Sequence, residues 1–115
     1  MANVSLLPGY GSRYTSENIA GSAGTTVSAD TIDTSRCAQF AVQVSAIVGS
    51  PVIQPQQTFD GTNWANLGTA IAATLGTISR YAPTSGPYGV IRFNVTNDST
   101  SVTLTVVGFP MAWSS

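Results

Sequence analysis

Charge is scarce in this chain: of 115 residues, four are Arg and five are Asp or Glu, with no Lys and no His. Charged residues make up 8% of it, against roughly 25% in an ordinary soluble domain, so Thr, Ser, Asn, Gln and Gly must cover the surface. Four scattered cations (Arg13, Arg36, Arg80, Arg92) form no basic patch able to displace counterions from phosphates, which excludes nucleic acid as the expected partner.

The length suits one domain, and 43% apolar residues supply a core. The opening "MANVSLLPGYGSRY" has no basic segment and no long apolar run, so no secretory signal is expected. No stretch approaches the roughly 18 apolar residues of a membrane helix. Residues 1–24 are rich in Gly, Ser and Tyr and show no sustained period. They nevertheless hold Leu6, Leu7, Tyr10, Tyr14 and Ile19, apolar side chains that disordered tails usually lack. The expectation is an N-terminal arm, 1–24, that docks through those five residues on a neighbouring subunit, followed by a folded domain over 25–115.

Within the domain the period is two. A short strand is expected at 25–32. Cys37, the only cysteine, reads as a small half-buried strand residue; it allows no intrachain disulfide and, without His, no thiolate or imidazole zinc site. "AQFAVQVSAIV" puts Phe40, Val42, Val44 and Ala46 on one face and Gln39, Ala41, Gln43 and Ser45 on the other. A strand at 52–59 contains Pro55, which cannot donate to a ladder and so points to a sheet edge or a bulge. "TNWANLGTAIAATLGT" is broken by Gly68 and Gly76 and reads as loop and short strands, at 64–68 and 75–82, in place of a helix. "APTSGPYG", 82–89, is a loop. "YGVIRFNVTN" points Ile91, Phe93 and Val95 one way, and "SVTLTVVGF" does the same with Val102, Leu104 and Val106. The intervening "NDSTS" is turn chemistry, so these two strands are expected to form a hairpin. The fold class is all-β: an antiparallel β-sandwich or jelly roll with an extended N-terminal arm.

Chemistry has few places to reside. There is no G-x-S-x-G elbow. Asp30 and Asp33 lie three apart, which in extended chain places them on opposite faces and gives no acid–base pair. "GYG" and "GSAG" neither follow a strand nor open a helix, so they are not phosphate loops. No catalytic residue, cofactor or metal site is expected. One stretch invites a choice, "QTFDGTNWANLG" at 56–67. Asp60 and Gly61 can occupy the two φ > 0 positions of a tight hairpin, with Trp64 starting the return strand and its ring covering the end of the sandwich. Asn63 also tolerates the left-handed region, which allows a longer loop. A calcium site would need more oxygen ligands than Asp60 offers nearby. A sugar platform would use Trp64 with Asn63 and Asp60. The hairpin is the favoured reading.

"FDGTNWANLGT" followed by "GPYGVIRFNVTNDSTSVTLTVVG" resembles a class of small phage virion proteins. Their pattern is a strand, S-x-D-G-x-x-W, a short polar return, a Tyr-Arg-bearing strand and a final Thr-rich strand. The resemblance spans roughly residues 36–109; Thr58 stands where the small residue belongs, with Phe59 between it and Asp60. It implies a non-enzymatic virion component present in many copies, and within that class a capsid decoration or cement protein. Tail, neck or fibre proteins use the same sandwich. A carbohydrate-binding module for host attachment, with Trp64 and Tyr88 as platforms, is the rival from another class. The expected partners are further copies of itself, as a trimer, and the major capsid or other virion proteins. That expectation also draws on low net charge and on Ala41, Val90 and Val107, apolar residues on otherwise polar strand faces.

Overall fold

The computed structural model describes residues 3–9, 13–22, 26–27, 30–37, 39–81 and 89–109. Over them the chain forms eleven strands and no helix: β1 (Asn3–Ser5), β2 (Tyr14–Thr15), β3 (Ile19–Ala20), β4 (Thr26–Val27), β5 (Thr31–Asp33), β6 (Gln39–Val48), β7 (Val52–Thr58), β8 (Ala65–Asn66), β9 (Ile78–Tyr81), β10 (Val90–Thr96) and β11 (Ser101–Phe109). They make two sheets. The first runs β1-β5-β10-β7-β8, with β4 also on β10; the second runs β2-β11-β6-β9, with β3 also on β11. Every pairing is antiparallel except β1 with β5. The fold is an all-β sandwich.

Alternation decides what is inside. Ile91, Phe93 and Val95 of β10 and Ile53 of β7 face Val102, Leu104 and Val106 of β11 and Phe40, Val42 and Val44 of β6, all essentially inaccessible to solvent. Phe40 stacks on Tyr81 of β9 with ring centroids 5.0 Å apart. Two expected orientations on β6 change. Ser45 is skipped in the pairing with β11, where Thr103 faces Ala46 and Leu104 faces Val44. This bulge turns Ala46 out to solvent and brings Ile47 against the core. Gln39, expected outward, is buried at the end of the strand.

The expected C-terminal hairpin does not form. β10 belongs to the first sheet and β11 to the second, so 97–100 carries the chain across the sandwich. The connection from β6 to β7 crosses in the same way. Alternating strands joined by a short polar turn have one sequence pattern whether the turn pairs them or arches between layers. Here Asn97 and Ser99 adopt φ of 86° and 61°. Asn97 Nδ2 donates to Ser50 O at 3.0 Å, tying the two crossing turns together.

Pro55 also sits elsewhere than expected. β7 is second from the edge, between β10 and β8, with Pro55 opposite Phe93. The Pro55 carbonyl accepts from Leu67 N, at 2.8 Å. In an antiparallel strand the N–H and C=O of a residue point to the same side. The missing donor therefore faces β8, which ends at Asn66, and no ladder bond with β10 is lost.

Candidate functional site

The Asp60 turn is built around one carboxylate. Asp60 Oδ1 accepts from the backbone N of Thr62 and of Asn63, both at 2.8 Å, and from Thr58 Oγ1 at 2.9 Å. Its Oδ2 accepts from Asn63 Nδ2 at 2.7 Å. Thr58 Oγ1 in turn accepts from Gly61 N. These four donated bonds, led by the two backbone amides, hold the Asp60 carboxyl far below the usual carboxylate range. Gly61 has φ of 81°, but Asp60 is not in the left-handed region, and neither is Asn63. Of the two connections the sequence allows, the tight hairpin turn and the longer loop ending at Trp64, the chain forms the longer one, as an Asx-type loop in which Asn63 is not left-handed. Side-chain bonding by Asp60 replaces the mirror-image backbone geometry.

Trp64 precedes β8 and does not cover the end of the sandwich. It lies on the outer face of the first sheet, where the Arg92 guanidinium sits over its ring, 4.1 Å from the centroid. Arg92 Nε donates to Gln56 Oε1 at 2.8 Å, and Gln56 Nε2 donates to Asn66 Oδ1. Arg92 and Gln56 are direct cross-strand partners, as are Gln56 and Asn66. The outcome is a polar strip across three strands with one tryptophan face occupied by a cation, an arrangement worth about 0.5–1 kcal/mol at an exposed site. Phe59, beside Asp60, is 80% exposed, the most exposed of the large hydrophobic side chains described. Sequence reading attached no role to Phe59 or Arg92. The available signals were an aromatic placed immediately before a turn and an Arg on the polar face of an otherwise regular strand.

Of the residues expected on a docking arm, Leu6, Ile19 and Tyr14 turn into or against the domain's own core, and Leu7 is exposed. Leu6 is fully buried in the domain's own core, where its N bonds Asp33 O at 2.8 Å and its carbonyl accepts from Cys37 Sγ at 3.2 Å. Ile19 is 6% exposed, paired with Val102. Tyr14 is half-buried and donates to Asp30 Oδ2 at 2.6 Å; burial, then this bond, pushes its phenol well above the ordinary range. Leu7 is 44% exposed. Tyr10 lies outside the described residues, as does Tyr88. The segment expected to leave the domain therefore lies along it: β1 extends the first sheet, Pro8 bridges to Gly108, and β2 and β3 line β11. The short length of these strands is why no period shows in the sequence.

Cys37 is buried, as a residue of the turn between β5 and β6 and not of a strand. Burial raises its thiol. A Cβ at Gly108 would run into Cys37 Sγ and approach Leu6, so the backbone of β11 needs glycine at this crossing. Asp30 and Asp33 serve separate bonds, Asp30 to Tyr14 and Asp33 Oδ1 from Ser35 N at 2.9 Å. Among the described residues no group of three or more His, Cys, Asp or Glu side chains could hold a metal ion. No protein-family model, no curated protein and no solved structure matches this chain.

Proposed function

We propose that this chain is a non-enzymatic structural component of a phage virion, serving as a capsid decoration or cement protein. The observation that carries the reading is the sequence pattern "FDGTNW…GPYGVIRFNVTNDSTSVTLTV", set on an all-β sandwich whose strands fall where the pattern places them. A surface this poor in charge also suits a protein held permanently in an assembly. The engagement of Asp60 by its own turn and of one Trp64 face by Arg92 supports structural roles for both residues over a glycan platform.

The test is localisation. An antibody against the full chain, applied to purified virions from the source lysate, should label the capsid shell with lattice regularity in electron micrographs. Label confined to the tail or fibres would move the protein to those structures and end the decoration reading. Virions that carry neither label nor the chain by mass spectrometry would overturn the proposal as a whole.

A further inference from the structure

The outer face of the second sheet carries a trough that the virion reading does not use. Its volume is about 310 Å3, and it is lined by Arg13, Ala41, Gln43, Ile78, Arg80, Thr105, Val107 and Phe109. Strand register explains its shape. Val107 is opposite Ala41, and Ala41 is opposite Arg80; Arg13 stands one residue before Tyr14, the partner of Val106. One row across the sheet thus reads Arg13, Val107, Ala41, Arg80. Two small apolar side chains form a floor between two exposed arginines. Four strands spaced by about 4.7–4.9 Å set the two arginine backbones about 14–15 Å apart. Half of the chain's four cations meet here, and no acidic residue lines the trough. Ile78, 49% exposed, continues the apolar floor one row away.

We propose that this trough docks an extended segment of a partner protein with the pattern acidic-x-apolar-x-acidic. In extended chain, residues one, three and five share a face, and the outer two lie about 13–14 Å apart. That span matches the arginine row: a carboxylate meets each guanidinium, and the central apolar side chain rests on Val107 and Ala41. Charge complementarity selects the carboxylates, and two small floor residues select the apolar centre. The occupant belongs to a different chain. In the 115 residues no two acidic residues stand four apart, so a second copy cannot supply the pattern. The inference stands apart from the virion reading and holds whatever assembly the partner belongs to.

The experiment uses the full chain, labelled with 15N, and the probe acetyl-Glu-Thr-Leu-Thr-Glu-amide. Titration should shift the amides of Ala41, Ile78 and Val107. The control acetyl-Gln-Thr-Leu-Thr-Gln-amide should bind about tenfold more weakly, as expected for two exposed ion pairs. The R13Q/R80Q double variant should lose the same factor toward the Glu peptide, with its own spectrum otherwise retained. Equal affinity for the two peptides, shifts confined to other surfaces, or no binding by the unmodified protein at millimolar peptide would each overturn the proposal. The peptide pair keeps the test decisive even if the double variant fails to fold.

Discussion

The N-terminal segment and the central strands fill the same core by different means. β6, β10 and β11 are seven to ten residues long; β10 and β11 bury every second residue throughout, and β6 does so from Phe40 to Val44, before its bulge. The N-terminal strands β1, β2 and β3 are two or three residues long, and among the described residues the segment gives the core Leu6 and Ile19, with Tyr14 packed against it. The central strands hold themselves by continuous ladders; the N-terminal segment is held by isolated anchors and by bonds such as Gly9 N to Gly108 O and Ser16 N to Leu104 O. A residue can therefore be fully buried without belonging to any periodic run.

The sharpest way to break this comparison is to remove the segment. Deleting residues 2–20 takes Leu6 and Ile19 from the core and strips β11 of its neighbours on one side. Each lost side chain forfeits roughly 1.5–3 kcal/mol of burial, and the ladder bonds go with them, which is comparable to the whole stability of a small domain. We expect a chain that no longer shows a cooperative melt by circular dichroism. A truncated protein that melts within a few degrees of the full chain would show the segment to be dispensable packing. Next in size is Phe93→Ala in β10, expected to lower the unfolding free energy by about 3–5 kcal/mol in urea titration, as for other buried aromatics.

Leu6 and Leu7 sharpen the contrast within two adjacent positions. Leu6→Ala should cost about 2–5 kcal/mol, since Leu6 is fully buried under Cys37 and Gly108. Leu7→Ala should change stability by no more than about 0.5 kcal/mol, because its side chain is substantially exposed. Similar losses at both positions, read from denaturant midpoints, would mean that Leu7 is covered in solution, as a docking role would require.

What could be read from the sequence follows the same divide. The alternation in "VIRFNVT" and "SVTLTVVG" places six buried side chains in the right orientation, since burial there repeats at the strand's own period. It does not say which sheet each strand joins, because an arch and a hairpin share one pattern; that depends on pairing between residues far apart in the chain. Leu6 was legible as apolar but not as core, since its neighbours Cys37 and Gly108 are 31 and 102 positions away. In the turn, Asp60, Asn63 and Gly61 were legible as a unit. Their geometry was not, because the mirror-image turn and the Asx loop use the same residues. The Trp64–Arg92 contact needed the register between β7 and β10.

The smallest expected effect concerns Asp60, which distinguishes a loop ordered by one carboxylate from the ladder-held strands around it. Its carboxyl titrates far below the ordinary value in the folded chain, while an unfolded chain restores a value near 3.9. A depressed folded value means that the unfolded state binds the proton more readily. The contribution of this carboxylate to stability is therefore complete above about pH 4 and fades as pH falls below that, toward the folded value. Asp33, lowered first by its bonds with Ser35, adds a change of the same sign. Asp60→Asn cannot ionise, and it replaces one acceptor oxygen with a donor amide. Its melting temperature at pH 7 should lie a little below that of the unmodified protein, and the gap should narrow as pH drops from 4 to 2. The Asp60 carboxyl is fully exposed, so solvent screens the charge and the whole effect stays small. A gap that holds constant over that range would mean that the amide donors of Thr62 and Asn63 are satisfied without the charge, and that loop shape alone orders this turn.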